Sequence, residues 1–397
     1  MSDQLTAVPN QFGVYIHIPY CIQRCSYCDF ATYVQSEILV PERYVALVKE
    51  EIPLRKHYFG FSRDTEKKLD TVYFGGGTPS LISSDLIVGL ISELNKHGLT
   101  TGPDAEITIE INPATIDERK LEHYLSAGVN RFSVGAQTFH DRLLKMVKRE
   151  HNAKQTLATL DLLKRYKLNF SFDLLFALPT QTVAELKSDV EMAVEIGSSH
   201  ISPYCLTVPE AHPLSKNRPL EDEQVEMFDI IHQHLTAKNF NRYEISNYGL
   251  PGKESRHNRL YWDDHSYWGL GLSAHSYSKT TEYGHRFWNP NNIDVYEKQI
   301  RQGIVDLPEN QIETLQKYQA LTDFCHTSLR VAEGISFVRL ERKFDAKACA
   351  KVLEIAQPML ERGLLKLENN HLVLTHPGVL ISNQIFEKFT FLASDLH

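Results

Sequence analysis

The chain has 397 residues, 42% of them hydrophobic, and a formal net charge of −8. That length predicts one large domain with a smaller one, or two to three of average size, and the apolar share is ample for a buried core. The acidic balance argues against a general binder of nucleic acid or membrane surfaces, no apolar run reaches the ~18 residues of a bilayer span, and residues 1–11 are polar and lack the features of a signal peptide. The expectation is a cytosolic protein whose thiols stay reduced.

In chain order, residues 13–18 read as a strand ending just before a group of cysteines, and 41–54 as a helix. A second strand is expected over 69–74, followed by Gly75-Gly76-Gly77-Thr78-Pro79 and a helix over 85–97. Strand 105–111, in which Ile107, Ile109 and Ile111 alternate, precedes helix 117–127. Strand 131–135 precedes helix 157–166, strand 169–176 precedes helix 183–196, and 200–206 is a sixth strand. This alternation means a parallel sheet with right-handed crossovers. Six such units predict an α/β fold, a partial (β/α)6 barrel over residues 12–210 after a tail at 1–11. The unusual residues fall at strand C-terminal ends, where loops converge and ligands bind.

A proline-bearing loop over 208–219 leaves the barrel, 221–238 is a helix, and 243–288 is aromatic and histidine-rich; together 211–306 read as an extension. From 307 to 397 the character changes. Helices are expected over 311–332 and 345–362, a hairpin over 364–374 turning at Asn369-Asn370, and a last helix over 380–391. That order resembles a small, mostly helical, winged-helix-like domain.

Cys21, Cys25 and Cys28 form a C-x3-C-x2-C run. An iron–sulfur cube has four irons and normally takes four thiolates. Three leave one iron free for a small molecule, which suggests a reactive cluster. A structural zinc needs a fourth Cys or His nearby, which only His17 offers, and three clustered thiols pair poorly as disulfides. Cys205, Cys325 and Cys349 are scattered and read as ordinary buried thiols. The glycine run alone signals a tight turn or a close backbone approach. Beside an open-site cluster, it points to S-adenosylmethionine, whose amine and carboxylate chelate an iron and whose sulfonium can be cleaved reductively.

C-x3-C-x2-C with Gly-Gly-Gly-Thr-Pro resembles the radical S-adenosylmethionine superfamily. The details resemble the oxygen-independent coproporphyrinogen III oxidases and their relatives, the HemW-type heme chaperones. The match runs from about residue 12 to 391. It includes Tyr15-x-His17-Ile-Pro, Glu110-x-Asn112-Pro113, Arg131-x-Ser133-x-Gly135-x-Gln137, Arg149-x-His151, Asp173 ahead of Leu178-Pro179, and Tyr243-Glu-Ile-Ser-Asn247. The resemblance implies a [4Fe-4S] cluster on the three cysteines. It places Tyr15 and Tyr27 beside S-adenosylmethionine, Gly76, Gly77 and Thr78 on its aminocarboxylate, and Glu110, Gln137, Arg149 and Asp173 on its amino group, ribose or carboxylate. Acceptors for an ammonium and a cation for a carboxylate suit that ligand. Taken singly, Glu110 and Asp173 read as caps or loop acids and Arg149 as a solvated charge; as a set at successive strand ends they read as a site.

Family oxidases resemble C-x3-C-x2-C-x-C, where this chain has Phe30, and carry a longer segment before the first strand. Both departures favour the heme-chaperone branch. That branch resembles H-N-x-x-Y-W, present as His257-Asn258-Arg-Leu-Tyr261-Trp262 and associated with heme. A neutral imidazole is a common heme ligand, aromatic rings pack on porphyrins, and Asn258 suits the role of fixing a tautomer. The plainer reading is a structural histidine in an aromatic core. His275 is a second candidate for heme or for the S-adenosylmethionine pocket. His265 and His285 read as surface or packing residues. Ala177 stands where relatives often have Gly, and Ser255 where several have Cys. The resemblance therefore implies a cluster, S-adenosylmethionine and heme as cofactors. Its implied partners are client hemoproteins, respiratory ones among them, and a reductant such as a flavodoxin or ferredoxin. Alternatives are a true coproporphyrinogen oxidase, a heme-degrading radical methyltransferase, or a zinc-bearing binding module.

Overall fold

The computed structural model describes residues 10–62 and 64–396, so most of the expected tail at 1–11 lies outside the described residues. Six strands alternate with helices as the sequence predicts: β1 (Phe12–Ile18), β2 (Lys67–Gly76), β3 (Leu99–Ile111), β4 (Arg131–Gln137), β5 (Asn169–Phe176) and β6 (His200–Cys205). All six pair in parallel and in chain order. Their helices carry the start signals expected of them. Asn152 with Gln155 and Thr182 with Glu185 form capping boxes for Ala153–Arg165 and Val183–Glu195. A short helix, Asp141–Met146, precedes the first of these and has no counterpart in the sequence reading.

The aromatic stretch folds into more of the same sheet. It contributes β7 (Asn241–Glu244), β8 (Asn247–Gly249), β9 (Ser266–Leu270), β10 (His275–Ser278) and β11 (His285–Trp288). β9 lies parallel to β1, making a seventh parallel strand. The expected helix over 311–332 begins instead as β12 (Ile312–Thr314), an edge strand on β11, and turns helical only at Lys317–Arg330. Ile312 and Thr314 are β-branched and favour the pleated edge. The full sheet runs β12-β11-β10-β9-β1-β2-β3-β4-β5-β6-β8-β7, and its two end strands are not paired with each other. The barrel is therefore partial. Residues from β2, β3, β4, β5 and β6 face one cavity, so the sheet is strongly curled.

A second apolar cluster, around Phe324, Leu329, Leu340, Val352, Leu372 and Phe389, belongs to the C-terminal part. Its three-stranded sheet joins β13 (Ile335–Ser336) to β14 (Leu365–Glu368) and β15 (His371–Leu374) in the order β13-β15-β14. The hairpin turns at Asn369 and Asn370, both at positive φ (48° and 64°), as a two-residue primed turn requires. The expected last helix is two, His376–Leu380 and Ser382–Lys388.

One buried carboxylate ties the extension to the barrel. Glu51, on helix Pro41–Arg55, is 1% exposed. It accepts hydrogen bonds from Asn289 Nδ2 (2.6 Å), the Gly271 amide (2.8 Å) and the Tyr296 hydroxyl (2.7 Å). Beside it, Tyr44 donates to the His17 carbonyl (2.8 Å) and accepts from the Leu272 amide (2.9 Å). Glu51→Ala leaves three buried donors unmatched, at about 1–3 kcal/mol each before relaxation. We expect urea unfolding to show a loss of roughly 3 kcal/mol or more for Glu51→Ala and a smaller loss for Glu51→Gln.

Candidate functional site

The cysteines occupy the loop that follows β1. Tyr20–Cys21 pairs with Tyr33–Val34, so the segment between them forms a closed excursion. The Ser26 amide donates to the Val147 carbonyl (3.3 Å), His212 Nε2 meets the Ser26 carbonyl (2.9 Å), and the Cys28 amide donates to the Cys25 carbonyl (3.3 Å). Cys21, Cys25 and Cys28 are all half-buried and line one cavity of about 450 Å³. Among the described residues no three His, Cys, Asp or Glu side chains are placed to hold a single ion; the three thiolates of a cube each take a different iron. His17 is no fourth ligand. Its Nδ1 meets the Tyr15 hydroxyl (3.0 Å), its Nε2 meets the Ala31 carbonyl (2.9 Å), and burial pushes its pKa down to about 4.

The glycine run is built for close packing. Gly76 has φ 112°, and a Cβ there would lie 2.5 Å from the His17 ring. A Cβ at Gly77 would lie 2.6 Å from the Tyr20 carbonyl. The Gly77 and Thr78 amides donate to the carbonyls of Ile18 (2.8 Å) and Tyr20 (2.7 Å). Those amides are thus used inside the protein, and the run presents its remaining surface to the cavity.

Of the residues expected around S-adenosylmethionine, Tyr27, Gly76, Gly77, Thr78, Glu110, Gln137, Arg149 and Asp173 all line this cavity. Tyr15 does not; it stacks behind Tyr73, with centroids 6.0 Å apart. Glu110 accepts from the Tyr73 hydroxyl (2.8 Å) and the Gly76 amide (3.1 Å). Arg149 donates to Cys25 Sγ (3.3 Å), to Asn112 Oδ1 (3.2 Å) and to the Gly135 carbonyl. Gln137 sits at φ 69° beside an irregularity in the β4–β5 register.

The sequence reading singled out no role for Asn112, Arg131, Ser133, His200, Ser202 and Tyr204, which also line the cavity. The signal for Arg131, Ser133, His200, Ser202 and Tyr204 was the period of two along β4 and β6, which turns alternate residues inward; Asn112 follows the end of β3. Cys205 corrects the expectation of a buried thiol: it is exposed at the cavity rim, while Cys325 is buried and Cys349 half-buried. His275 is exposed, stacks on Trp288 (5.7 Å) and does not line the cavity. Ala177 takes φ 58°, the left-handed conformation in which the relatives' Gly costs less.

The structure places His257 and Tyr261 in a packed setting. Helix Arg256–Trp262 packs against β1, β2 and β9, and His257 is 1% exposed. Its Nδ1 meets Thr71 Oγ1 (2.7 Å) and its Nε2 meets the Tyr261 hydroxyl (2.8 Å), so both ring nitrogens have side-chain partners. Neither residue lines the cavity, whereas Asn258 does.

The sequence model of the radical SAM superfamily matches residues 15–193, and that of the HemN C-terminal domain matches residues 315–381. The heme chaperone HemW of Lactococcus lactis is 31% identical over 390 residues, spanning 96% of this chain and 97% of that protein. That of Synechocystis is 34% identical over 408 residues, spanning 94% and 95%. The chain belongs to the HemW family of radical SAM proteins. The HemW-family chain also shares its fold with coproporphyrinogen III oxidase (HemN) from Escherichia coli. The TM-score is 0.79 at 20% identity, covering 96% of this chain and 90% of that one.

The donor set fits the groups that a radical SAM fold implies. Three soft thiolate donors converge beside a guanidinium, as an iron–sulfur cluster asks. Two carboxyls, Glu110 and Asp173, face the cavity. Burial pushes Glu110 up to about 7, with Asp173 adding to the rise, and burial pushes Asp173 up to about 6 against the pull of Arg131. An arriving ammonium would favour the ionised forms of both. Without a ligand, a raised carboxyl stabilises the fold fully below its unfolded pKa and progressively less as pH climbs through the folded value. Thermal melts of cluster-free protein should therefore show Glu110→Gln no more stable than wild type at pH 5, and more stable at pH 8. The gap should open mainly between pH 5 and 7.

Proposed function

We propose that this protein is a cytosolic heme chaperone that binds one [4Fe-4S] cluster, S-adenosylmethionine and heme, and passes heme to client hemoproteins, respiratory ones among them. The observation that carries the reading is similarity to heme chaperones along nearly the whole chain, with both ends of the barrel and the C-terminal part included. Phe30, in place of the fourth cysteine that the oxidases resemble, supports it: the side chain is 66% exposed at the cavity rim and supplies no thiolate.

Cys21, Cys25 and Cys28 would hold the cluster, with Arg149 compensating thiolate charge at Cys25. Gly76, Gly77 and Thr78, with Glu110 and Asp173, would take the aminocarboxylate and ribose, and Tyr27 would bound the adenine side. Bound there, the cluster would supply one-electron chemistry to the sulfonium. The chain's own residues orient the ligand, accept its ammonium and keep bulk water off it. Residues 12–210 act as the cofactor-bearing barrel, 211–306 as its extension and 307–397 as a separate C-terminal unit. A flavodoxin or ferredoxin would serve as reductant. No nucleic acid is expected as a partner, and among the described residues no helix is long and apolar enough to cross a membrane.

Hemin titration of the anaerobically reconstituted protein should give a saturable Soret change. Coproporphyrinogen III supplied with S-adenosylmethionine and reductant should remain undecarboxylated while the cluster is intact. Cys25→Ser should lose the cluster's absorbance and iron content. Absence of saturable hemin binding, or turnover of the porphyrinogen, would move the assignment to the oxidase.

A further inference from the structure

The His257–Trp262 motif is expected to hold heme, and its helix also reaches the cavity through Asn258. Helix Arg256–Trp262 packs on β1, β2 and β9, and its His257 and Arg256 amides donate to Glu106 on β3 (3.0 and 3.2 Å). Ser255 caps it, accepting from the Asn258 amide (3.3 Å). Gly13 on β1 makes room: a Cβ there would collide with Thr71 Oγ1 and Leu260 Cδ1.

From His257 a chain of contacts leads into the cavity. Its ring stacks on Tyr73, with centroids 5.0 Å apart and planes at 27°. Tyr73 lies on the same strand as Thr71, which holds His257 Nδ1. The Tyr73 hydroxyl donates to Glu110 (2.8 Å), whose other oxygen accepts the Gly76 amide (3.1 Å). Burial pushes the His257 pKa down to about 3, so the ring stays neutral, one nitrogen donating and one accepting. Asn258, one residue on, lines the cavity, and among the described residues its side-chain amide has no hydrogen-bond partner.

We propose that this motif serves the S-adenosylmethionine cavity. Asn258 is a ligand-contact residue there, and His257 is a positioning residue that acts through Tyr73 on Glu110. The proposal rests on reading the cavity as the S-adenosylmethionine site. It gives the motif's histidine and asparagine one shared task, with Tyr261 holding His257 Nε2 (2.8 Å).

The test uses full-length reconstituted protein with Asn258→Ala, His257→Gln, Glu110→Gln and the His257→Gln/Glu110→Gln double variant. S-adenosylmethionine affinity is read by equilibrium dialysis and by the ligand-induced change in the reduced cluster's paramagnetic resonance; hemin affinity is read by Soret titration. Asn258→Ala and His257→Gln should each weaken S-adenosylmethionine binding by roughly fivefold to tenfold, the size of one lost hydrogen bond. Hemin affinity should stay within about twofold of wild type. In the Glu110→Gln background the effect of His257→Gln should largely vanish, since a relay has nothing left to act on.

Unchanged S-adenosylmethionine affinity in Asn258→Ala, loss of both ligands in that folded variant, or selective loss of hemin in His257→Gln would overturn the proposal. If His257→Gln does not fold, Asn258→Ala decides alone. Failure of the wild-type protein to bind hemin would sink the chaperone reading and leave the S-adenosylmethionine arm standing.

Discussion

The site depends on the missing side chains of Gly76 and Gly77. Strand β2 ends where β1 has already turned into the cysteine loop, and the two chains touch backbone to backbone. Any Cβ at Gly77 meets carbonyl oxygens that cannot retreat without breaking the Ile18 and Tyr20 hydrogen bonds. The φ of 112° at Gly76 is one that other residues rarely reach. This contact sets the height of the cysteines above the carboxyls of the barrel interior. The glycines thus contribute by letting two loops meet, more than by approaching a ligand directly.

The interior below them is unusually polar for a barrel. Thr71, Tyr73, Glu106, Glu110, Arg131, Ser133, Asp173, His200 and Ser202 come from inward positions where branched apolar side chains would ordinarily fill the layers. Burying such groups is costly unless each finds a partner. Several find one: Glu106 accepts the His257 amide (3.0 Å) and the Arg256 amide (3.2 Å), and His200 Nε2 meets the Tyr243 hydroxyl (2.8 Å). Nearer the cysteines, buried Arg149 Nε has no acceptor among the described residues.

Much of this was legible in the chain. The six βα units and the hairpin at Asn369-Asn370 follow from strand–helix alternation and turn residues, whereas the grouping of Glu110, Gln137, Arg149 and Asp173 came from the family resemblance, with their place at successive strand ends in support. Other features were hidden for identifiable reasons. β9 returns to the sheet only after a long excursion and pairs with β1 across some 250 residues, a distance that local periodicity does not register. Ile312 and Thr314 sit in helix-compatible spacing, and tertiary pairing on β11 decides for a strand. His257 carries a motif that reads equally well as a ligand or as a packed ring. The partners of its nitrogens were not legible either, since they come from Thr71, 186 residues away, and from Tyr261.

Arg149 shows how the cysteine loop and the barrel are electrically joined. Burial opposes its charge, yet the surroundings of Tyr27 and Cys25 hold its pKa above the ordinary arginine value. The guanidinium therefore stays cationic between a thiol and the Asn112 amide oxygen. His151 shares that oxygen through Nδ1 (2.8 Å), and with Arg149 nearby and burial acting in the same direction its pKa falls to about 4. One fixed positive charge thus faces the thiolates from the β4 side, while the Glu110 and Asp173 carboxyls stay largely protonated at mildly acidic pH until a cation arrives. The cavity is biased toward a ligand that brings anionic and cationic groups together, the anionic end near Arg149 and the cationic end toward the acids. That polarity is inherent in the strand positions of these residues and needs no conformational change to appear.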